Sequence, residues 1–292
     1  MDIRENEPLK GKTTMRIGGV ARYFAELHTE EDVEEAYRFA QTSSVPMVVL
    51  GAGSNTIFAE GTIEALVVRI SANTMKINED RIFVHAGKNL AMLINELAEQ
   101  GLDLSALTGI PGTVGGAVVG NAGQGPEGTW FDTFIEEMTI FHKGAWRTLQ
   151  KEKCKFSYRD SIFKQSELRG CIVWKTTFSV PRGNPQQIKT TIEELLKRRI
   201  ETQPHAKTAG SCFMALPDGT PAWKLLDEAG LRGLKVGGIQ ISEKHANFLI
   251  NERNATFDDV LAIIQEVQKK IPKLQGVEMQ IIDKDGNVIL FE

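Results

Sequence analysis

Several common chemistries are missing from this 292-residue sequence. It has three cysteines, Cys154, Cys171 and Cys212. An odd count without CxxC spacing indicates neither a disulfide framework nor a zinc knuckle. The histidines, His28, His85, His142, His205 and His245, show no metal-ligand spacing such as HExxH, so no metal is expected. Lys and Arg number 34 against 38 Asp and Glu, for a formal net charge of -4. No basic excess is available to neutralise a phosphate backbone, which excludes nucleic acid as the principal ligand. No apolar run approaches the ~20 residues of a membrane span. The opening MDIRENEPLKGK is polar where a signal peptide carries an apolar core, so the expected compartment is the cytoplasm. Neither an internal repeat nor a Rossmann fingerprint stands out, since no GxGxxG opens a helix after a strand with an acidic residue ~20 positions on.

What the chain does have is glycine in two informative places. The stretch from Gly109 to Gly123 reads GIPGTVGGAVVGNAG, and Leu50 to Asn55 reads LGAGSN. Glycine reaches positive φ and lacks a Cβ, so successive backbone N–H groups can converge on an anion at contact distance. One such loop alone reads better as an ordinary turn. Two together, each with hydroxyl and amide side chains beside the glycines, point to one large anionic ligand such as a pyrophosphate.

Periodicity gives a mixed α/β order. Thr29 and Asp32 form a capping box for a helix through Gln41, and Pro46 opens a strand over Met47 to Leu50. Strands are predicted over 65–70 and 81–86, with a helix over 90–99 stopped by Gly101. Shorter strands follow at 138–141, 146–149 and 172–180. The turn PRGNP then leads into a helix over 187–200. Beyond it lie a helix at 222–229, a strand near 247–250, a helix opened by Thr256 with Asp259, and a hairpin around Asp285 and Gly286.

Three groups could carry chemistry. Arg159, in YRDSIFK, can bind a carboxylate at two points and stabilise charge developing on it, or form a salt bridge with Asp160. Ser211, in AGSCF, can present its hydroxyl at the end of a tight turn as a proton donor, or cap a turn. Glu278, in GVEMQIID, either faces a cleft and handles a proton or forms the polar side of an amphipathic strand. No GxSxG or triad motif supports an acyl-enzyme, and Cys212 reads as packing beside Phe213 and Met214. His245 and Asn247 in SEKHAN could hydrogen-bond a substrate.

In order along nearly the whole chain, TTMRIGGVA, LGAGSN, GIPGTVGGAVVGNAG, YRDSIFK, KRRIETQP, AGSCF, WKLLDEAGLRG and SEKHANFLIN resemble the UDP-N-acetylenolpyruvoylglucosamine reductases, flavoenzymes of peptidoglycan precursor synthesis. The short path from Phe213 to Trp223 resembles the type II branch, which lacks a substrate-covering insertion. The resemblance implies an α+β fold: a two-lobed FAD-binding domain of the vanillyl-alcohol oxidase (PCMH) type over 1–200, with lobes of about 1–57 and 58–200, and a smaller C-terminal α/β substrate-binding domain over 201–292. It implies that FAD is held by Leu50, Gly51, Ala52, Gly53, Ser54 and Asn55, and by Gly109, Ile110, Pro111, Gly112, Thr113, Gly115 and Gly116. Asn121, Ala122, Gly123 and Arg199 join that cofactor set, while Tyr158, His245 and Asn247 are implied substrate contacts.

The implied reaction has two stages. NADPH reduces FAD, and hydride then passes from the flavin N5 to the enolpyruvyl β-carbon of UDP-N-acetylglucosamine enolpyruvate. Protonation of the α-carbon gives UDP-N-acetylmuramic acid. Arg159 and Glu278 would stabilise the developing enolate and Ser211 would donate the proton.

The chain departs from the family pattern in two places. Where Lys-Asn-Pro usually follows AGS-x-F, it has Met214, Ala215, Leu216 and Pro217. Where Leu-Glu-Pro-Glu-Val-Arg is usual, it reads LQGVEMQ, one residue longer, with Gln280 at the customary arginine. Two other classes stay open on sequence: a flavin or UDP-sugar-binding module with weakened or lost catalysis, and a flavin oxidase of the same fold.

Overall fold

The structure, a computed structural model, describes residues 1–123, 128–165 and 167–291. The chain begins with β1 (Ile3–Pro8), β2 (Val20–Leu27), α1 (Glu30–Thr42), β3 (Met47–Leu50), β4 (Thr56–Phe58), β5 (Thr62–Ile70), β6 (Met75–Asn78), β7 (Arg81–His85), α2 (Leu90–Glu99) and α3 (Val114–Val119). It continues with β8 (Ile135–His142), β9 (Ala145–Gln150), β10 (Ile172–Ser179), α4 (Pro185–Thr202), β11 (Thr208–Ser211) and α5 (Ala222–Glu228). The last elements are β12 (Lys235–Val236), β13 (Ile239–Ile241), β14 (Phe248–Asn251), α6 (Phe257–Lys270) and β15 (Gln280–Ile282). Contacts group these into two compact units. The first holds 1–2, 25–51 and 67–199; the second holds 3–24, 52–66 and everything described from Ile200 on. The division after Arg199 lies next to the boundary expected at 200, whereas segments 3–24 and 52–66 group with the C-terminal part of the chain.

The first unit is built on the antiparallel sheet β6-β7-β10-β8-β9. Central strand β10 is buried on both faces, and Trp174 and Phe178 are among its fully buried side chains. Burial on both faces takes in the polar Thr176 and Thr177 as well as the apolar residues of this strand. Helix α1 starts at the expected capping box: Thr29 accepts from Asp32 N and the Asp32 side chain accepts from Thr29 N. Its Val33, Ala36 and Ala40 face inward, and Glu34 accepts from the Trp146 indole at 3.0 Å. Helix α4 begins two residues earlier than predicted. Pro185 is its first residue, where a missing N–H costs nothing, and Asn184 Oδ1 accepts from Gln186 and Gln187 N.

Within the glycine-rich segment, α3 was not anticipated. Thr113 caps it through Gly116 N, and Val114, Ala117 and Val118 supply a buried face that offsets the poor helix propensity of two glycines. Gly115 is there for packing: a Cβ would stand 2.7 Å from the Ala86 Cβ.

The second unit carries the sheet β11-β14-β13-β12 and the parallel pair β15-β4. Helix α6 buries Phe257, Val260, Ile263, Ile264 and Val267, each contributing about 1.5–3 kcal/mol by leaving water. The hairpin expected at Asp285-Gly286 is present, with Ile282 bridged to Val288. Among the described residues no helix is long and apolar enough to cross a membrane, and no group of three or more His, Cys, Asp and Glu is placed to hold a metal ion.

Candidate active site

In the first unit the glycine-rich segments meet. A Cβ on Gly51 would stand 2.9 Å from Thr113 Oγ1, so only a residue without a side chain lets these loops approach this closely. Gly109 has φ +77° and its Cβ would fall 2.3 Å from Arg199 Cδ; the Arg199 guanidinium donates from Nη1 to Gly109 O at 2.6 Å. Gly112 holds φ +131°, a conformation that side chains rarely adopt. The turn carrying Arg159 docks on the far end of the same segment. Ser161 donates to Val119 O at 2.7 Å, and the Asn121 carboxamide donates to Ser157 O and accepts from Asp132 N. Asn121 therefore positions the loop through its side chain.

Tyr158 and Arg159 form the tip of this tight turn, closed by the Ser157–Asp160 pair. Arg159 takes φ +54°, in the left-handed region, a strain that clusters at functional sites. Its guanidinium lies over the Trp130 ring, 5.0 Å from the centroid, and Tyr158 meets the same ring edge-on. The alternative partner Asp160 accepts from Gln165 Nε2 at 3.2 Å. Burial holds the Arg199 pKa below its usual value, and the charge of Arg159 lowers it further. Two guanidinium groups thus sit close enough to repel, an arrangement that suits an anionic ligand. Trp130 was missed in the sequence because nothing in its spacing links it to Arg159.

In the second unit the remaining candidates lie on neighbouring extended segments. Glu278 N donates to Cys212 O at 2.8 Å, and Phe213 is bridged to Val277. Ser211 and Glu278 are therefore set on adjacent backbones. Burial first, and the Glu278 charge second, push the Cys212 thiol well above its ordinary range, which keeps it an inert packing group. The glycine loop reaches the same place. Asn55 Nδ2 donates to Glu278 O at 3.0 Å, and Asn55 O accepts from Gln280 N at 2.8 Å. Gly53 holds φ +66°, with Lys12 O only 2.3 Å from where a Cβ would stand, and its carbonyl accepts from Thr14 N and Oγ1. Lys12, and Thr13 and Thr14 at the start of TTMRIGGVA, thus shape the loop.

The two departures from the family pattern touch each other. Met214 N donates to Gly276 O at 2.9 Å, and a Cβ on Gly276 would crowd the Met214 side chain at 3.2–3.4 Å. His245 and Asn247, the expected substrate contacts, each make hydrogen bonds within the second unit. His245 Nδ1 accepts from Asn247 N at 3.2 Å, which places the imidazole proton on Nε2, and burial followed by the Arg232 charge lowers its pKa. The Asn247 carboxamide is committed to the Phe213 backbone on both its sides.

FAD, the cofactor implied by the resemblance, carries a pyrophosphate that needs close backbone approach and positive potential. The side-chain-free cradle at Gly51, Gly109 and Gly112 is what close approach to a pyrophosphate needs, and the Arg159–Arg199 neighbourhood supplies positive potential. The residues fit the group. A cavity of about 360 Å³ elsewhere in the second unit is lined by Glu60, Asp258, Asp283 and Asp285 with Lys284, an acidic wall unsuited to an anion.

Known proteins are similar to this chain in sequence and in fold. Residues 21–149 match the family model described as FAD binding domain, and residues 203–281 match that described as UDP-N-acetylenolpyruvoylglucosamine reductase, C-terminal domain. The chain is 37% identical over 291 residues to the UDP-N-acetylenolpyruvoylglucosamine reductase of Chlamydia trachomatis serovar D, covering 99% of this chain and 97% of that one. It is 36% identical over 278 residues to the reductase of the same name from Caldanaerobacter subterraneus, covering 94% and 90%. The crystal structure of UDP-N-acetylenolpyruvylglucosamine reductase from Thermus caldophilus superposes with a TM-score of 0.82 at 32% identity, over 96% of this chain and 98% of that one. With likeness at this level along its whole length, the chain belongs to the UDP-N-acetylenolpyruvoylglucosamine reductase family and is an FAD-dependent oxidoreductase.

Proposed function

We propose that the chain reduces the enolpyruvyl group of UDP-N-acetylglucosamine enolpyruvate to the lactyl ether of UDP-N-acetylmuramic acid, with NADPH as reductant and Ser211 as proton donor. FAD, when bound, supplies the hydride that NADPH has delivered to it. Arg159 binds the substrate carboxylate and, together with Glu278, stabilises the negative charge that grows on it as the β-carbon is reduced. Ser211 then gives its proton to the α-carbon. Residues 201–292 hold the sugar nucleotide. The observation that carries the reading is the pairing of Ser211 and Glu278 on hydrogen-bonded neighbouring segments, with the glycine-loop Asn55 bonded to the Glu278 carbonyl.

UDP-N-acetylglucosamine enolpyruvate is expected to drive NADPH oxidation by the FAD-loaded protein. Ser211→Ala should leave flavin reduction by NADPH nearly intact and slow flavin reoxidation by substrate by about 10²–10⁴-fold, the usual contribution of a positioned proton donor. Equal losses in the two half-reactions would remove Ser211 from that role. UDP-sugar binding without any stimulated NADPH oxidation would favour a binding module instead.

A further inference from the structure

The strand bearing Ser211 is irregular where it matters most. β11 pairs with β14 at Thr208↔Ile250 and again at Ser211↔Phe248, so three steps on one strand oppose two on the other. Gly210 takes φ +82° within this bulge. A bulge re-aims the side chain that follows it, and the ladder on its own no longer dictates the direction of Ser211.

The next two peptide groups are held by one residue. Cys212 N donates to Asn247 O at 2.8 Å. Phe213 N donates to Asn247 Oδ1 at 2.9 Å, and Asn247 Nδ2 donates to Phe213 O at 2.8 Å. The side chain stands in for a strand backbone, matching both the donor and the acceptor of one residue. Asn247 is buried, so no water competes for these bonds. It is steadied in turn by the bond from its own N–H to His245 Nδ1.

We infer that Asn247 is a positioning residue for Ser211: its carboxamide fixes the peptide planes after the bulge and so aims the hydroxyl. The inference rests on the reading of Ser211 as proton donor. The group must be a carboxamide or its neutral isostere, because one atom has to donate and the other accept. An ionised carboxylate accepts only, and would turn a charge toward the Phe213 carbonyl.

That requirement gives a test in the full-length FAD-loaded enzyme. In Asn247→Asp, substrate-driven flavin reoxidation relative to wild type is expected to fall about 10–100-fold at pH 8.5, the scale of a small misplacement of a reacting group. The ratio should recover as the pH is lowered and the buried carboxyl takes up a proton, since the acid again donates and accepts. Flavin reduction by NADPH should stay within about twofold of wild type throughout, because a misaimed hydroxyl affects only the later proton transfer. Asn251→Asp is the control. Asn251 is also buried on β14; its side chain donates to Met15 O at 3.0 Å and accepts from Ala255 N at 2.9 Å, so its replacement loosens the same sheet without removing a side-chain bond to the Ser211 segment.

A ratio that stays flat with pH for Asn247→Asp, or the same profile in Asn251→Asp, would overturn the inference. Should Asn247→Asp yield no folded protein, Asn247→Gln keeps both functions on a longer arm that displaces Phe213. It should lower the reoxidation rate at least about 10-fold with flavin reduction intact, and an unchanged rate overturns the positioning role. Ser211→Ala separates the two levels. If that variant is reoxidised normally, the proton-donor reading fails; if it is slow while the Asn247 variants behave as wild type, positioning alone fails.

Discussion

Gly53 combines two demands that only glycine meets. Its φ of +66° disfavours any L side chain, and a Cβ would stand 2.3 Å from Lys12 O and 2.8 Å from Thr13 Cα, both backbone atoms that cannot swing aside. Gly230, just after α5, has the same φ of +66° with nothing within 4 Å of its missing Cβ. Alanine at Gly230 should therefore cost only the left-handed penalty of about 1–2 kcal/mol. Alanine at Gly53 should cost measurably more and lower the amount of FAD retained on purification. Urea denaturation of the two variants checks this, and equal losses would mean the loop yields freely. At the same scale, the backbone demands on the glycines of the two loops were readable because they are local. The roles of Trp130 and Asn247 were not, because each depends on a partner at least 29 residues away, Arg159 in one case and Phe213 in the other.

Thr256 and Asp259 form the capping box of α6, and the same carboxylate reaches beyond the helix. Asp259 Oδ2 accepts from Thr256 N at 2.9 Å and from Gly238 N at 3.0 Å, so it also holds the turn between β12 and β13. The bond from Thr256 N, followed by that from Gly238 N, keeps its pKa below the ordinary carboxylate value. A depressed carboxylate pKa adds stability that is complete at neutral pH and is lost as the pH falls through the folded-state value. Thr256→Ala removes the reciprocal half of the box and should cost about 1 kcal/mol by urea denaturation at pH 7. A loss within error would show the cap to be redundant with the buried face of α6. Elements of this kind were legible in the sequence: α1, α2, α5 and α6 stand where a cap, a 3.6-residue period or a closing glycine placed them. Helix α3 was hidden, since its stability comes from tertiary burial of Val114, Ala117 and Val118 against a sequence that reads as loop. The short strands β4, β11, β12, β13 and β15 were also largely unreadable, two to four residues being too few to display a period.

On the scale of the whole molecule, no local signal announces that the chain leaves and re-enters its compact units. The division falls between Gly51 and Ala52, inside the loop Leu50–Asn55, so this loop is covalently part of both units. Strands β2 and β5 likewise each contribute to both. A ligand gripping that loop binds the native chain and finds no counterpart in the unfolded one, so its binding free energy adds to folding. With free FAD at about 100 times its dissociation constant the added stability is about 2.7 kcal/mol, and at the usual ~2–4 °C per kcal/mol for chains of this size the melting temperature should rise by roughly 5–10 °C. The shift should grow with the logarithm of FAD concentration and be reduced in Gly53→Ala. Amide exchange gives the spatial counterpart: added FAD should slow exchange on both sides of the Gly51–Ala52 bond, in β3 and in β4. A melting temperature indifferent to FAD, or protection confined to one side of that bond, would show that the glycine loop is not where the cofactor is held.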